Sequence, residues 1–230
     1  MCIACFNRRS FFGLAAAALA LPTMAIANES EQAGPTPAEA LAKLKEGNAR
    51  FISSPELCEL DMQEHRNTVA KGQHPFATIL TCADSRVSPE LLFGGVGLGD
   101  LFVCRNAGNV ADVSALGSIE YAVEHLHCPL IVVMGHERCG AVGAAVSVVN
   151  DKAELPGFIK PMIDAIVPAV EAVKPQGGDT LNLAVLENAK RNASRILTES
   201  KIVAEHVEAG KVMVVYARYD LDDGIVEFIA

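Results

Sequence analysis

The sequence predicts an α/β protein: a mainly parallel β-sheet of about four strands plus an antiparallel edge strand, flanked by helices, with an N-terminal helical arm. Three observations predict it. Four short apolar runs, several rich in β-branched residues, have the length and continuity of strands buried on both faces: Phe76 to Thr81, Leu101 to Cys104, Leu130 to Gly135 and Val212 to Ala217. Segments at helical spacing alternate with them, and parallel strands require crossovers of that kind. A last run, Ile225 to Ile229, follows Asp223-Gly224, a hairpin turn signal, so the final strand is expected to be antiparallel and at the edge.

Taken in order, the chain opens on residues 1–27, with Arg8-Arg9, Phe11-Phe12, an apolar stretch to Leu21 and then Ala25-Ile26-Ala27. The stretch is shorter than the roughly 18 residues a bilayer-spanning helix needs, and small residues at 25 and 27 suit signal peptidase. The expectation is a signal peptide cleaved after Ala27 and a periplasmic or otherwise exported product. Asn7-Arg8-Arg9-Ser10-Phe11-Phe12 resembles the twin-arginine type of signal, which carries folded proteins; a general secretory signal with an incidental arginine pair is the alternative.

Residues 28–36 are polar and carry Gly and Pro, as a flexible lead-in does. Residues 37–230 are expected to form a single domain, since one core suits a chain of this length better than two small ones. Ala40, Leu41, Leu44, Phe51 and Ile52 fall roughly at helical spacing from Pro37 to Ile52, with Thr36 as N-cap and Pro37 in the first turn. A second, polar helix is expected near Met62 to Lys71. Between the strands the helical patterns run over Val113 to Leu126, Cys139 to Val149, Pro156 to Val173, Thr180 to Ser200 and Ile202 to Glu208.

Charge and cysteine usage narrow the function. Without residues 1–27 the chain keeps 17 basic and 28 acidic groups, a net charge of −11. It has no basic stripe, which sets nucleic acid aside as a partner. Five thiols remain, Cys58, Cys82, Cys104, Cys128 and Cys139, an odd number that argues against a fully paired disulfide set. Cys104 and Cys128 are expected in the core and Cys58 in a loop.

In α/β sheets ligands gather at the carboxyl ends of parallel strands. The first strand ends in Thr81-Cys82-Ala83-Asp84-Ser85-Arg86 and the third in Gly135-His136-Glu137-Arg138-Cys139-Gly140. His136 and Cys139, three residues apart at a strand-to-helix turn, can converge on one ion, and Cys82 reaches it if the two strands are neighbours. A cysteine at a strand end is ordinarily a small core hydrophobe and a lone histidine ordinarily structural; the concurrence at two strand ends is what points to a metal. Two thiolates and one imidazole suit Zn2+, and three protein ligands mark a catalytic site with an open position. Asp84 is placed to be a fourth ligand in a closed state. Arg86, by gripping the Asp84 carboxylate in two places, could hold it off the metal.

The strings GQHPFATILTCADSRV, GDLFVCRNAGN, SIEYAVEHL and VVMGHERCGAV resemble, in that order, those of the β-class carbonic anhydrases. The likeness is strong from Ala38 to Val149 and weak beyond. It implies a mainly parallel sheet in an intertwined homodimer or dimer of dimers, with Cys82, His136 and Cys139 as zinc ligands and Asp84 and Arg86 as a catalytic dyad. It implies further that Gln73 reaches the substrate across the dimer interface, that Phe102 and Tyr121 form the apolar wall of the pocket, and that the N-terminal arm reaches over a partner. For the arm, packing on its own sheet is the alternative. The glycine-rich loop at Gly94 to Gly99 is about one residue longer than the family's. The absence of tryptophan does not support the bicarbonate-inhibited subtype.

The implied reaction is reversible hydration of carbon dioxide to bicarbonate and a proton by zinc-bound hydroxide, and zinc's acidification of bound water agrees with it. Two alternatives stand beside it: a carbonyl sulfide or carbon disulfide hydrolase of the same family, and a non-catalytic protein whose zinc is closed by Asp84. No membrane partner is expected after signal removal.

Overall fold

The computed structural model describes residues 34–54, 66–67, 69–176 and 178–229. The signal segment, most of the lead-in, Cys58, His65 and half of the polar helix expected near Met62 to Lys71 lie outside the described residues.

Helix α1 (Pro37–Ser53) begins where Thr36 and Glu39 cap each other: Glu39 N–H donates to Thr36 Oγ1 at 3.3 Å and Thr36 N–H to Glu39 Oε2 at 2.7 Å. Ala40, Leu44 and Asn48 recur every four residues and are buried. They are spent on this chain's own sheet. Ala40 and Leu44 join the core, and the Asn48 side chain donates to Leu92 O and Gly224 O and accepts from Val226 N–H. That face packs on this chain's own sheet, the alternative given above for the arm, and three buried hydrogen bonds fix it there.

Strands β1 (Ala77–Cys82), β2 (Leu101–Asn106), β3 (Leu130–His136), β4 (Met213–Tyr219) and β5 (Val226–Ile229) form one sheet in the order β2-β1-β3-β4-β5. The first four are parallel and β5 runs antiparallel to β4. The sequence-based expectation of fold and edge strand holds. The first four strands continue one or two residues past the apolar runs, and that extension carries Cys82 and His136 into the last positions of β1 and β3.

A short helix α2 (Pro89–Leu92), not anticipated, follows β1. Helix α3 (Val113–Leu126) has its predicted bounds, set by Asp112 accepting from Ala115 N–H and by His127 in the left-handed region. After α4 (Gly140–Asp151), the helix expected over Pro156 to Val173 is two, α5 (Ile159–Asp164) and α6 (Val167–Val173). Pro168 is the reason. It cannot donate to residue 164 and its ring excludes continuous helix there, so Ile166 and Ala169 bond three residues back instead of four. A single 3-10 turn (Lys174–Gln176) follows α6, and then come helices α7 (Thr180–Glu199) and α8 (Lys201–Glu208).

On one sheet face Ile79, Val132, Met134, Val215 and Ala217 pack against α1, Phe93 and Phe228. On the other, Leu80, Ile131 and Val133 meet α3, α7 and α8. Gly135 lets α7 close on β3: a Cβ there would stand 2.9 Å from Val185 Cγ1 and 3.1 Å from its carbonyl oxygen. Cys104 is half-buried beside the α3 side of the core, and Cys128 is buried, accepting from Thr78 Oγ1 at 3.2 Å. No helix among the described residues is long and apolar enough to cross a membrane.

Candidate metal centre

The chain order reverses direction across the sheet between β1 and β3, and in such sheets the crevice beyond the strand ends is the ligand site. Cys82 closes β1 and His136 closes β3 in that crevice. Arg138 takes a left-handed conformation (φ 51°), which turns the chain back so that Cys139 becomes the N-cap of α4. One sulfur of each cysteine and one nitrogen of His136 all lie within 4.8 Å of one another, and the three residues are buried.

Each donor is prepared for a cation. His136 Nδ1 lies 2.8 Å from Glu137 O, a carbonyl that can only accept, so Nδ1 bears the proton and Nε2 the lone pair. That buried Nε2 has no hydrogen-bond partner among the described residues. The sulfurs of Cys82 and Cys139 are 3.9 Å apart, against about 3.8 Å for two sulfurs on a tetrahedral zinc. The hydrogen bond from Cys139, with the Gly108 amide beside it, pulls the Cys82 thiol well below the usual thiol range; the same contact and burial push Cys139 up. The pair thus shares one proton that a bound cation displaces. The residues present fit a metal ion of the zinc type.

Asp84 and Arg86 sit beside this group. Arg86 Nε donates to Asp84 Oδ1 at 2.9 Å and Nη2 to Oδ2 at 2.7 Å, with the Arg86 amide adding a bond to Oδ1 at 3.0 Å. These donors hold the Asp84 carboxyl well below the usual carboxylate range. Oδ2 lies 3.8 Å from His136 Nε2, so the carboxylate faces the triad while the guanidinium grips it.

Sequence reading missed the residues that hold this loop. Arg105 on β2 donates to Cys82 O at 3.1 Å and to Asp84 O at 2.7 Å, fixing the stretch between ligand and carboxylate. Gly108 N–H donates to Cys82 Sγ at 3.4 Å. Both residues lie within or beside the string that carried the family likeness, but only the register β1–β2, which sets Cys82 beside Asn106, reveals their reach.

Gln73, Phe102 and Tyr121 are elsewhere in this chain. Phe102 pairs with Thr78, four residues before Cys82, which is about 13 Å along the strand. Tyr121 is half-exposed and packs its ring 6.3 Å from that of Phe102, and Gln73 is exposed next to Gly99, before β1 begins. All three gather towards the amino ends of β1 and β2, so one chain alone does not bring them to the triad. His74 is exposed at the same end. A second acidic group, Glu137, Asp220 and Asp222, is countered by Arg138, which grips Asp222 with two bonds of 2.9 and 2.7 Å.

The family model for carbonic anhydrase matches residues 77–226. Carbonic anhydrase 2 of Mycobacterium tuberculosis is 39% identical over 188 residues, covering 82% of this chain and 90% of that protein. Among solved structures, the β-carbonic anhydrase CafA of Aspergillus fumigatus superposes with a TM-score of 0.62 at 30% identity, covering 84% of this chain and 89% of that one. The Coccomyxa β-carbonic anhydrase in complex with acetazolamide gives 0.64 at 29%, covering 81% and 85%. The family-model match, the likeness to solved β-carbonic anhydrases and this extent of identity, together with a Cys-His-Cys group at the switch point of the sheet, lead to one conclusion: the chain belongs to the β-class carbonic anhydrase family of enzymes.

Proposed function

We propose that the protein catalyses the reversible hydration of carbon dioxide to bicarbonate and a proton, with zinc held by Cys82, His136 and Cys139. The observation that carries this reading is the buried triad of donors, its Nε2 unpartnered, next to a carboxylate that Arg86 holds off it. When bound, zinc supplies a Lewis acid that brings the acidity of a water into the neutral range and so provides the nucleophile.

The chain's own groups do the rest. Cys82, His136 and Cys139 fix the position of the cation, and the second bond of His136, to Glu137 O, fixes the ring. Asp84, ionised and aimed by Arg86, offers Oδ2 as a hydrogen-bond acceptor that orients the attacking nucleophile towards the substrate carbon. The grip of Arg86 favours this open arrangement over the closed, non-catalytic one. Gln73, Phe102 and Tyr121 complete the pocket only from a second copy of the chain, so the active unit is proposed to be a homodimer or a dimer of dimers. Residues 1–27 are proposed to direct export to the periplasm, by the twin-arginine route, with cleavage after Ala27.

Stopped-flow carbon dioxide hydration on protein starting at Asn28, with zinc determined on the same sample, tests the reading. About one zinc per chain with rapid hydration supports it. Zinc without hydration at any pH overturns it, in favour of a sulfur-bearing substrate if carbonyl sulfide or carbon disulfide is consumed and of the closed structural site if neither is. Light scattering reads the oligomer, and N-terminal sequencing of a periplasmic fraction reads the export.

A further inference from the structure

Two buried asparagines on α7 have no part in the catalytic reading above. Asn188 is 1% and Asn192 5% exposed, and both point at the turn between β2 and α3. Asn188 Nδ2 donates to Gly108 O at 2.8 Å. Asn192 Oδ1 accepts from Ala111 N–H at 2.7 Å, and Asn192 Nδ2 donates to Asn188 O and Oδ1 at 2.8 and 3.1 Å. The pair therefore clamps the turn at both its carbonyl and its amide side. Asn106 closes the turn from within, accepting from Val110 N–H and donating to Val110 O.

What the clamp presents is an amide. Gly108 (φ 79°) and Asn109 (φ 45°) are both in the left-handed region, and a Cβ on Gly108 would stand 2.4 Å from Ile166 Cδ1 and 3.2 Å from Ala141 Cβ. Glycine takes the left-handed region freely, and at Asn109 the geometry is uncommon and is held by the surrounding turn. Here it aims Gly108 N–H at Cys82 Sγ. An N–H bond to a ligand sulfur draws charge off the thiolate, and outer-shell hydrogen bonds of this kind set both the affinity of a metal site and its electronics.

We propose that Asn188 and Asn192 are positioning residues of the metal centre: through the 106–111 turn they hold the Gly108 amide on Cys82 Sγ and so set how much charge that sulfur gives to the cation. The assignment rests on the metal-site reading above. It acts over a hydrogen-bond chain from α7 to β1, with neither asparagine touching the ligand.

Cobalt(II) is the probe, because thiolate-to-cobalt charge-transfer absorption reports charge on the sulfurs directly. Asn188→Ala and Asn192→Ala are compared with Ile196→Ala, which loosens the same helix at a fully buried position away from the turn. Both asparagine variants are expected to shift the band to lower energy, to weaken zinc binding about 10- to 100-fold, and to move the pH profile of hydration upward. Ile196→Ala is expected to leave the band and the profile unmoved. Unshifted bands in the asparagine variants overturn the proposal, as does an equal shift in Ile196→Ala. If Asn188→Ala does not fold, Asn192→Ala decides by the same criteria. Absence of any thiolate band in the unmodified protein overturns the metal-site reading itself, so the two failures are distinct.

Discussion

The Asp84 oxygen that Arg86 Nη2 grips at 2.7 Å, Oδ2, is the same oxygen that stands 3.8 Å from His136 Nε2. The arginine thus occupies the atom best placed to turn onto the triad. Arg86 is half-exposed, so an ion pair of this kind contributes little to the fold, and its value is geometric.

Removing either member should therefore spare the metal and cost the reaction. Asp84→Asn and Arg86→Ala are expected to retain about one zinc per chain and to lose about 100-fold or more in hydration rate. Zinc content and stopped-flow rates on the same samples check this, and loss of zinc would instead make the pair structural.

The triad behaves in the opposite way. His136→Ala and Cys139→Ser each remove one of the three buried donors, His136 being fully buried and Cys139 1% exposed. Both variants are expected to bind zinc at least about 10-fold more weakly, with native circular dichroism at low temperature. Equilibrium dialysis against zinc measures the loss.

The pH dependence follows from which groups titrate. Hydrogen bonds from Arg86 keep the Asp84 carboxyl depressed, so it stays ionised across the neutral and alkaline range. Its contribution to stability is present above the unfolded value, about 4, and is lost only as pH falls through the lower folded value. A rate that rises with pH therefore comes from the metal centre. Two thiolates give a cation more charge than imidazoles do, making its water less acidic than in a three-histidine site. Hydration is expected to climb from about pH 6.5 to 9, and a flat profile over that range would refute the ligand-charge argument.

Helix α1 is part of the domain's own core, and Asn48 is the test. Asn48→Ala leaves Val226 N–H and the carbonyls of Leu92 and Gly224 without their partner. Urea denaturation should show a loss of about 2–4 kcal/mol. A change below about 0.5 kcal/mol would mean that the helix end is not held by these bonds.

Much of this was legible before the structure. The strand runs and the Asp-Gly turn carried the sheet because apolar continuity and turn chemistry are local properties, and Cys82, His136 and Cys139 could be picked out because they sit at strand ends. The break at Pro168 was legible too, in a residue that cannot continue a helix, but the apolar periodicity on either side hid it. Arg105, Gly108, Asn188 and Asn192 were not, since their partners lie 21 to 81 residues away and depend on register and helix placement. The spacing of Asn188 and Asn192 on the inner face of a helix was a readable signal of a buried polar contact, though not of its target. Gln73, Phe102 and Tyr121 show the converse: motif likeness singled them out, and the strand register places them away from the triad of their own chain.

Cys82 and His136 close two neighbouring strands whose pairing sets Thr81 opposite Met134, so Cys82 extends β1 beside Gly135, one residue before the histidine. In a sheet, sliding one strand by a single residue turns its side chains to the other face. Such a slip would carry the Cys82 sulfur away from Nε2 and leave two donors where three are needed. An ion held by these three donors would therefore act as a proofreader of strand pairing: it would reward only the correctly aligned sheet, and a chain loaded with metal would, by that fact, have passed the check.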